Sequence, residues 1–213
     1  MKVLVFGGSG LIGSRLVRIL DADYTYFNNS IEIGDANGFK IDIRDKAATS
    51  DLIKKLKPDT VVHTAAVQGM DICETDKKLA YDVHINGTKN ILDGCKSVNA
   101  KMVFISTSAV FDGKKEIYNE YDETCAISYY GITKAEAEGV IKKSGLDFLI
   151  VRTDHPYGWV DSPGQKKNTV VRALGKLERG EVVEEITDWY NNPTFVDNLS
   201  EVIKNLIGKN ANG

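Results

Sequence analysis

The chain has 213 residues, 42% of them hydrophobic and 27% charged, which fits one soluble globular fold with a substantial core. Twenty-seven Lys and Arg stand against 30 Asp and Glu, a net charge of -3, so the composition gives no reason to expect a nucleic-acid partner. The apolar run Val3 to Phe6 is far shorter than a signal-peptide core or a span of about 20 residues, and a cytoplasmic protein with no membrane contact is expected.

Short β-branched runs alternate with longer amphipathic stretches, the pattern of parallel strands joined by crossover helices. In chain order, strands are expected at Lys2–Phe6, Tyr24–Phe27, Phe39–Ile41, Thr60–His63, Met102–Ser106 and Phe148–Arg152. Helices are expected at Leu11–Asp21, Ala47–Leu56, Lys77–Val98, Tyr129–Ser144, Thr169–Arg179 and Leu199–Ile207. The fold class is therefore α/β, a doubly wound parallel sheet of Rossmann type. Residues 1–160 form one expected domain, and 161–213 a smaller, partial C-terminal lobe. Asp161–Lys167 reads as an exposed loop. After Ile207, Gly208 to Gly213 read as a connection toward an element that does not follow.

Three cysteines, Cys73, Cys95 and Cys125, and three histidines, His63, His84 and His155, lack metal-ligand or disulfide spacing, so no metal site is expected. Two glycosylation-like triplets, at Asn28 to Ser30 and Asn198 to Ser200, are taken as chance.

Gly7-Gly8-Ser9-Gly10-Leu11-Ile12-Gly13 follows the first strand and opens the first helix. Glycines there allow a sharp turn and bring a pyrophosphate against backbone N–H groups at a helix N-terminus, where the dipole favours negative charge. Tyr130-Gly131-Ile132-Thr133-Lys134 sets a phenol and an ammonium on one helical face, where a lysine cation would favour the phenolate. Upstream, Ser106-Thr107-Ser108 ends a strand with hydroxyls able to bond a substrate carbonyl.

These motifs, in this order, resemble the extended short-chain dehydrogenase/reductase superfamily. Matched residue by residue, Thr107 resembles the family's catalytic Ser/Thr, Tyr130 its proton donor, and Lys134 the partner that also holds the nicotinamide ribose. Tyr129 is a decoy, since Thr133, not lysine, lies four residues on. The resemblance gives cofactor contacts to Gly7, Gly10, Leu11, Ile12, Gly13, Tyr130 and Lys134. Asp42-Ile43 resembles the acidic position that bonds the adenine amino group. His63-Thr64-Ala65-Ala66 resembles a turn whose small side chains, Ala65 and Ala66, let ribose and phosphates lie close.

Two positions depart from the pattern. His84, in Val83-His84-Ile85-Asn86-Gly87-Thr88, stands where the family has Asn, which leaves open whether a proton relay persists or His84 is a packed polar residue. Phe27-Asn28-Asn29-Ser30 offers neither a carboxylate for a free ribose 2′-hydroxyl nor an arginine for a 2′-phosphate. The missing carboxylate tilts the reading toward NADP(H) over NAD(H), with Arg15 as a candidate helper.

The flanks around Ile105–Gly113, Tyr129–Glu138, Val151–Thr153, Asp188–Phe195 and Lys57–Val62 resemble the dTDP-4-dehydrorhamnose reductase branch. This implies reduction of a 4-keto group on a nucleotide-linked deoxysugar, with that nucleotide sugar as substrate and a homodimer as the assembly. Val67, His155, Asn168 and Trp189 are the substrate-side candidates, with Pro193 beside them. Ser108-Ala109 replace the Asp-Glu pair of the dehydratase branch, which argues against dehydration. A 4-epimerase, or a cofactor-binding regulatory subunit resembling the β subunit of methionine adenosyltransferase, are the alternatives.

Overall fold

The computed structural model describes residues 1–28, 32–67, 69–160, 165, 168–184, 186–188 and 190–213. Among these, six strands form one parallel sheet: β1 (Val3–Phe6), β2 (Asp23–Tyr26), β3 (Gly38–Lys40), β4 (Thr60–His63), β5 (Lys101–Thr107) and β6 (Phe148–Thr153). Their order is β3-β2-β1-β4-β5-β6, with the connection reversing direction between β1 and β4. β1 and β4 are buried along their whole length, as strands covered on both faces must be, which is why both read as unbroken apolar runs.

Two cores lie on opposite faces. Val3, Val5 and Ile105 point toward α1 (Leu11–Leu20), whose Leu16 and Val17 are buried against them. Leu4, Phe6, Val61, Met102 and Phe104 point the other way, toward α2 (Lys46–Leu56) and the helices that follow β4. Polar residues set the helix starts: Asp45 accepts the Ala48 N–H at 3.0 Å to cap α2.

The expected helix 77–98 is continuous but not uniformly α. It runs as α4 (Lys77–Tyr81), a π turn at Asp82–Gly87, and α5 (Thr88–Val98). A π turn carries one extra residue and loosens the carbonyl ladder. Here the Thr88 hydroxyl donates to the His84 carbonyl at 2.6 Å and satisfies one of the loosened groups. A short helix unforeseen in the sequence, α3 (Met70–Thr75), precedes it.

After β5 come a 3₁₀ turn, Ser108–Val110, and α6 (Tyr129–Lys142), capped by Ser128. A second, two-stranded parallel ribbon pairs β7 (Pro156–Tyr157) with β8 (Thr194–Phe195), around α7 (Thr169–Glu178), which has no buried residue. The last helix, α8 (Val196–Gly208), returns to the main sheet, where Leu199, Ile203 and Ile207 join the core of β1 and α1. Of Gly208 to Gly213, expected as a connection, Gly208 ends α8 and Gly213 pairs with β6: its N–H donates to the Phe148 carbonyl, and the Ile150 N–H donates to its carbonyl. Buried Lys101 fastens this segment through the Asn210 side chain and the Ala211 carbonyl. The loop expected at 161–167 lies outside the described residues apart from Gln165, as do Asn29, Ser30 and Trp189.

Candidate active site

The carboxyl ends of β1, β4, β5 and β6 meet on one edge of the sheet, beside the point where strand order reverses. At β1 the glycines divide their work. Gly7 has φ +81°, and a Cβ on it would stand 2.7 Å from the Ala65 backbone nitrogen. A Cβ on Gly13 would stand 2.2 Å from the Gly7 carbonyl oxygen, so these two positions close the turn itself. A Cβ on Gly10 meets only the Gly7 carbonyl, at 3.3 Å, and its backbone is extended. Gly10 is thus the glycine whose open side faces away from the protein, with the N–H groups of α1 behind it. Leu11 and Ile12 follow, Ile12 packing on the core. Gln165, which the sequence did not single out, donates to the Ser9 carbonyl at 3.0 Å and supports the turn from behind.

At β4, Thr64 donates to the carbonyls of Phe6 and Gly7, drawing the two strand ends together and leaving Ala65 and Ala66 partly exposed beside the turn. The cradle fits a dinucleotide: its glycines and the small side chains of Ala65 and Ala66 leave room beside the backbone, and it opens at a helix N-terminus. Ile43, expected as a cofactor contact, is buried in the core, where its Cδ1 would lie 2.6 Å from a Cβ on Gly87. Asp42 is bound to Arg44, with Oδ2 2.6 Å from the guanidinium, and that hydrogen bond holds its carboxyl below the ordinary range. Arg15 reaches Asp197 at 2.8 Å and the Trp159 carbonyl at 2.9 Å, on the side of α8 rather than at the end of β2.

Thr107 closes β5, and its hydroxyl lies close enough to the Tyr130 phenol to favour the phenolate. Gly131 makes that meeting feasible, because any Cβ there would fall 2.0 Å from the Ala109 carbonyl oxygen. The first turn of α6 can therefore press onto the 3₁₀ turn that follows Thr107. Burial raises the Tyr130 phenol above its ordinary pKa, outweighing the Thr107 hydroxyl. Lys134 stands behind the pair and is 3% exposed. Its ammonium donates to the Ile105 carbonyl at 2.7 Å and lies 3.8 Å from the centroid of the Phe104 ring. Burial lowers its pKa to about 7, against a partial counter-effect from Glu138. The expected depression of the phenol by this lysine is thus not what governs Tyr130; the phenol keeps its proton.

His84 is held at both ring nitrogens. The Val67 N–H donates to Nε2 at 3.0 Å, which leaves Nδ1 carrying the proton, and Nδ1 lies 2.8 Å from the Thr133 hydroxyl. Burial and the Lys134 charge push its pKa down to about 3, so the ring is neutral. It is a packed polar clamp between the loop after β4 and α6, its ring edge-on to Tyr130 at 5.5 Å. Val67 thereby has its backbone fixed at the site. His63 bonds Thr88 through Nε2 at 3.1 Å, and its buried Nδ1 has no partner among the described residues.

Two charged groups that sequence reasoning missed support the strand ends. Glu138, 1% exposed, accepts from Ser106 at 2.6 Å and from Arg152 at 3.0 and 2.7 Å. Asp154 accepts from the Ser108 hydroxyl, the His155 ring and the Asn192 N–H, tying the residue after Thr107 to the segment before β8. His155 therefore sits against a local carboxylate, with φ +39°. Asn168 is committed to capping α7 and to the Gly158 carbonyl, and Pro193 is exposed.

Among the described residues no helix is long and apolar enough to cross a membrane, and no group of three metal-binding side chains occurs.

The chain is 24% identical over 210 residues to the dTDP-4-dehydrorhamnose reductase of Aggregatibacter actinomycetemcomitans, covering 98% of this chain and 68% of that protein. It is 25% identical over 217 residues to the methionine adenosyltransferase 2 subunit beta of Rattus norvegicus, and spans 62% of it. Among solved structures, a hypothetical dTDP-4-dehydrorhamnose reductase from Sulfolobus tokodaii superposes with a TM-score of 0.87 at 29% identity, covering all of this chain and 74% of that one. The Bacillus anthracis dTDP-4-dehydrorhamnose reductase in complex with NADP gives 0.86 at 27% identity, covering all of this chain and 73% of its own. Residues 1–213 match the family described as RmlD substrate binding domain. With the glycine turn, the Thr107, Tyr130 and Lys134 set and the strand order all in place, the chain belongs to that family, within the extended short-chain dehydrogenase/reductase superfamily.

Proposed function

We propose that the chain reduces the 4-keto group of a nucleotide-linked deoxysugar with NADP(H) or NAD(H). The observation that carries this is the first turn of α6, with Tyr130, pressed by Gly131 onto the turn that follows Thr107 at the end of β5, beside a cradle of glycine and alanine. Reduction of a ketone needs hydride at carbon and a proton at oxygen. A bound nicotinamide supplies the hydride. Tyr130 supplies the proton, which its raised pKa keeps on the phenol at neutral pH, and the Thr107 hydroxyl orients the carbonyl oxygen. Lys134 is the cation that serves the ribose. Gly7, Gly10, Gly13, Ala65 and Ala66 bind the phosphates and riboses. Val67 and His155 face the sugar, in an arrangement of a dinucleotide domain, 1–160, and a substrate lobe, 161–213, from which α8 returns to the sheet. Three free cysteines, two of them buried, suit a reducing cytoplasm. A homodimer is the expected assembly.

A regulatory role like that of the methionine adenosyltransferase β subunit is the second reading, on the strength of the relatives of that name. Turnover separates them. NADPH oxidation followed by absorbance with a dTDP-4-keto-6-deoxysugar should proceed with the wild-type chain. Gly10→Val should abolish both turnover and dinucleotide binding while circular dichroism stays unchanged, since that side chain enters the cradle and not the fold. Binding without turnover of any keto nucleotide sugar would favour the regulatory reading, and unaltered binding by Gly10→Val would remove the cradle from the site.

A further inference from the structure

We infer that Arg44 is the specificity residue for the cofactor's adenosine 2′-phosphate, a step that rests on the dinucleotide reading of the cradle. In a βαβ dinucleotide fold the ribose 2′ position falls at the end of the second strand, where a carboxylate selects the hydroxyl and a guanidinium the phosphate. The described residues just after β2, Phe27 and Asn28, carry no charge.

The sheet brings a guanidinium there from elsewhere. β2 and β3 run parallel with Tyr26 opposite Lys40, and the Ile41 N–H donates to the Tyr26 carbonyl at 2.8 Å. Both strands therefore finish level, and the segment after β3 continues beside the segment after β2. From it Arg44 extends back across the gap, its guanidinium carbon 5.8 Å from the centroid of the Phe27 ring.

The side chain is held in place. Asn90 donates to the carbonyls of Ile43 and Arg44 at 2.9 and 3.2 Å, and the Ile43 side chain is anchored in the core. Asp42 accepts from Nε and Nη2, which fixes the plane of the guanidinium. Nη1, with its two N–H groups, makes no hydrogen bond to the described residues, and the side chain is 39% exposed. A half-exposed ion pair adds little to stability, so its effect is orientation. Asp82 also faces Arg44, but that carboxylate is engaged by Lys78 and Asn86. Asp42 offsets part of the attraction for a phosphate, which puts the expected discrimination near the lower end for a charged hydrogen bond.

The probes are 2′,5′-ADP and 5′-AMP, which differ only in the 2′-phosphate, with NADPH and NADH titrated alongside by nicotinamide fluorescence. Wild type should prefer 2′,5′-ADP. Arg44→Met should weaken 2′,5′-ADP and NADPH on the order of 10-fold, leave 5′-AMP and NADH within about twofold, and Arg44→Lys should recover part of the loss. Arg15→Met should leave the preference intact. Equal weakening of both probes by Arg44→Met would make the residue a wall for the adenine and overturn the assignment, as would unchanged 2′,5′-ADP affinity or a preference lost in Arg15→Met. If wild type bound no dinucleotide at all, the cofactor reading itself would fall.

Discussion

Tyr130→Phe is expected to lower turnover on the order of 10²-fold or more while dinucleotide affinity changes little. The substitution removes the phenolic hydroxyl beside Thr107 and leaves the ring in place beside His84. No other phenol can substitute for it. Tyr129 precedes it on α6, but its ring lies under the Lys77 ammonium at 5.2 Å, facing α4. Tyr129→Phe should therefore be nearly silent in steady-state assays. A damaging Tyr129→Phe beside a silent Tyr130→Phe would refute the site's register.

Arg152→Met should produce the largest loss of stability. Glu138 is almost wholly buried, and burial alone would push its carboxyl up. Bonds from Arg152 and Ser106, with the charges of Arg152 and Lys142, overcome this and hold it below the ordinary carboxylate range. Removing one partner of a buried pair leaves an uncompensated charge, at a cost of about 3 to 5 kcal/mol. The sign in pH follows. A carboxyl lowered on folding adds stability that is present above its unfolded pKa and lost as pH falls through the folded one. Wild type should keep this contribution until the pH is below the usual glutamate range. In Arg152→Met only Ser106 and Lys142 oppose the desolvation, the carboxyl rises, and the variant should lose less stability than wild type on mild acidification. Urea denaturation at pH 7.5 and 5 tests both statements. Equal midpoints for variant and wild type at pH 7.5 would refute the first.

The sheet and the motif triad were legible in the sequence for separate reasons. Parallel strands buried on both faces write continuous apolar runs, so Val3–Phe6 and Thr60–His63 were bounded to within a residue. The glycine turn and Tyr130 to Lys134 are local in sequence, and local spacing survives folding. What escaped was non-local or too short to carry a period. Met70–Thr75 has six residues and no complete apolar stripe, and the ribbon of β7 and β8 has two residues per strand. The π turn hid inside a helical pattern that tolerates one extra residue. Arg44 was invisible as a site residue because its nearness to Phe27 depends on β3 lying beside β2, a fact of topology. Glu138 escaped because its partner Arg152 comes from β6, beyond the reach of helix periodicity.

Lys134, with a pKa of about 7 in the uncomplexed chain, makes the site a proton acceptor in the thermodynamic sense. Near neutral pH the neutral amine is therefore within reach of the ammonium. A doubly anionic pyrophosphate arriving at the same strand ends favours the cation, so binding should draw a fraction of a proton from solution. The heat of binding should then depend on the ionisation enthalpy of the buffer, with the slope of one against the other counting the protons taken up. Affinity should weaken as pH rises above 7 through the complexed pKa. A slope of zero in calorimetric titrations at pH 7 would mean that the lysine is already fully charged before any ligand arrives.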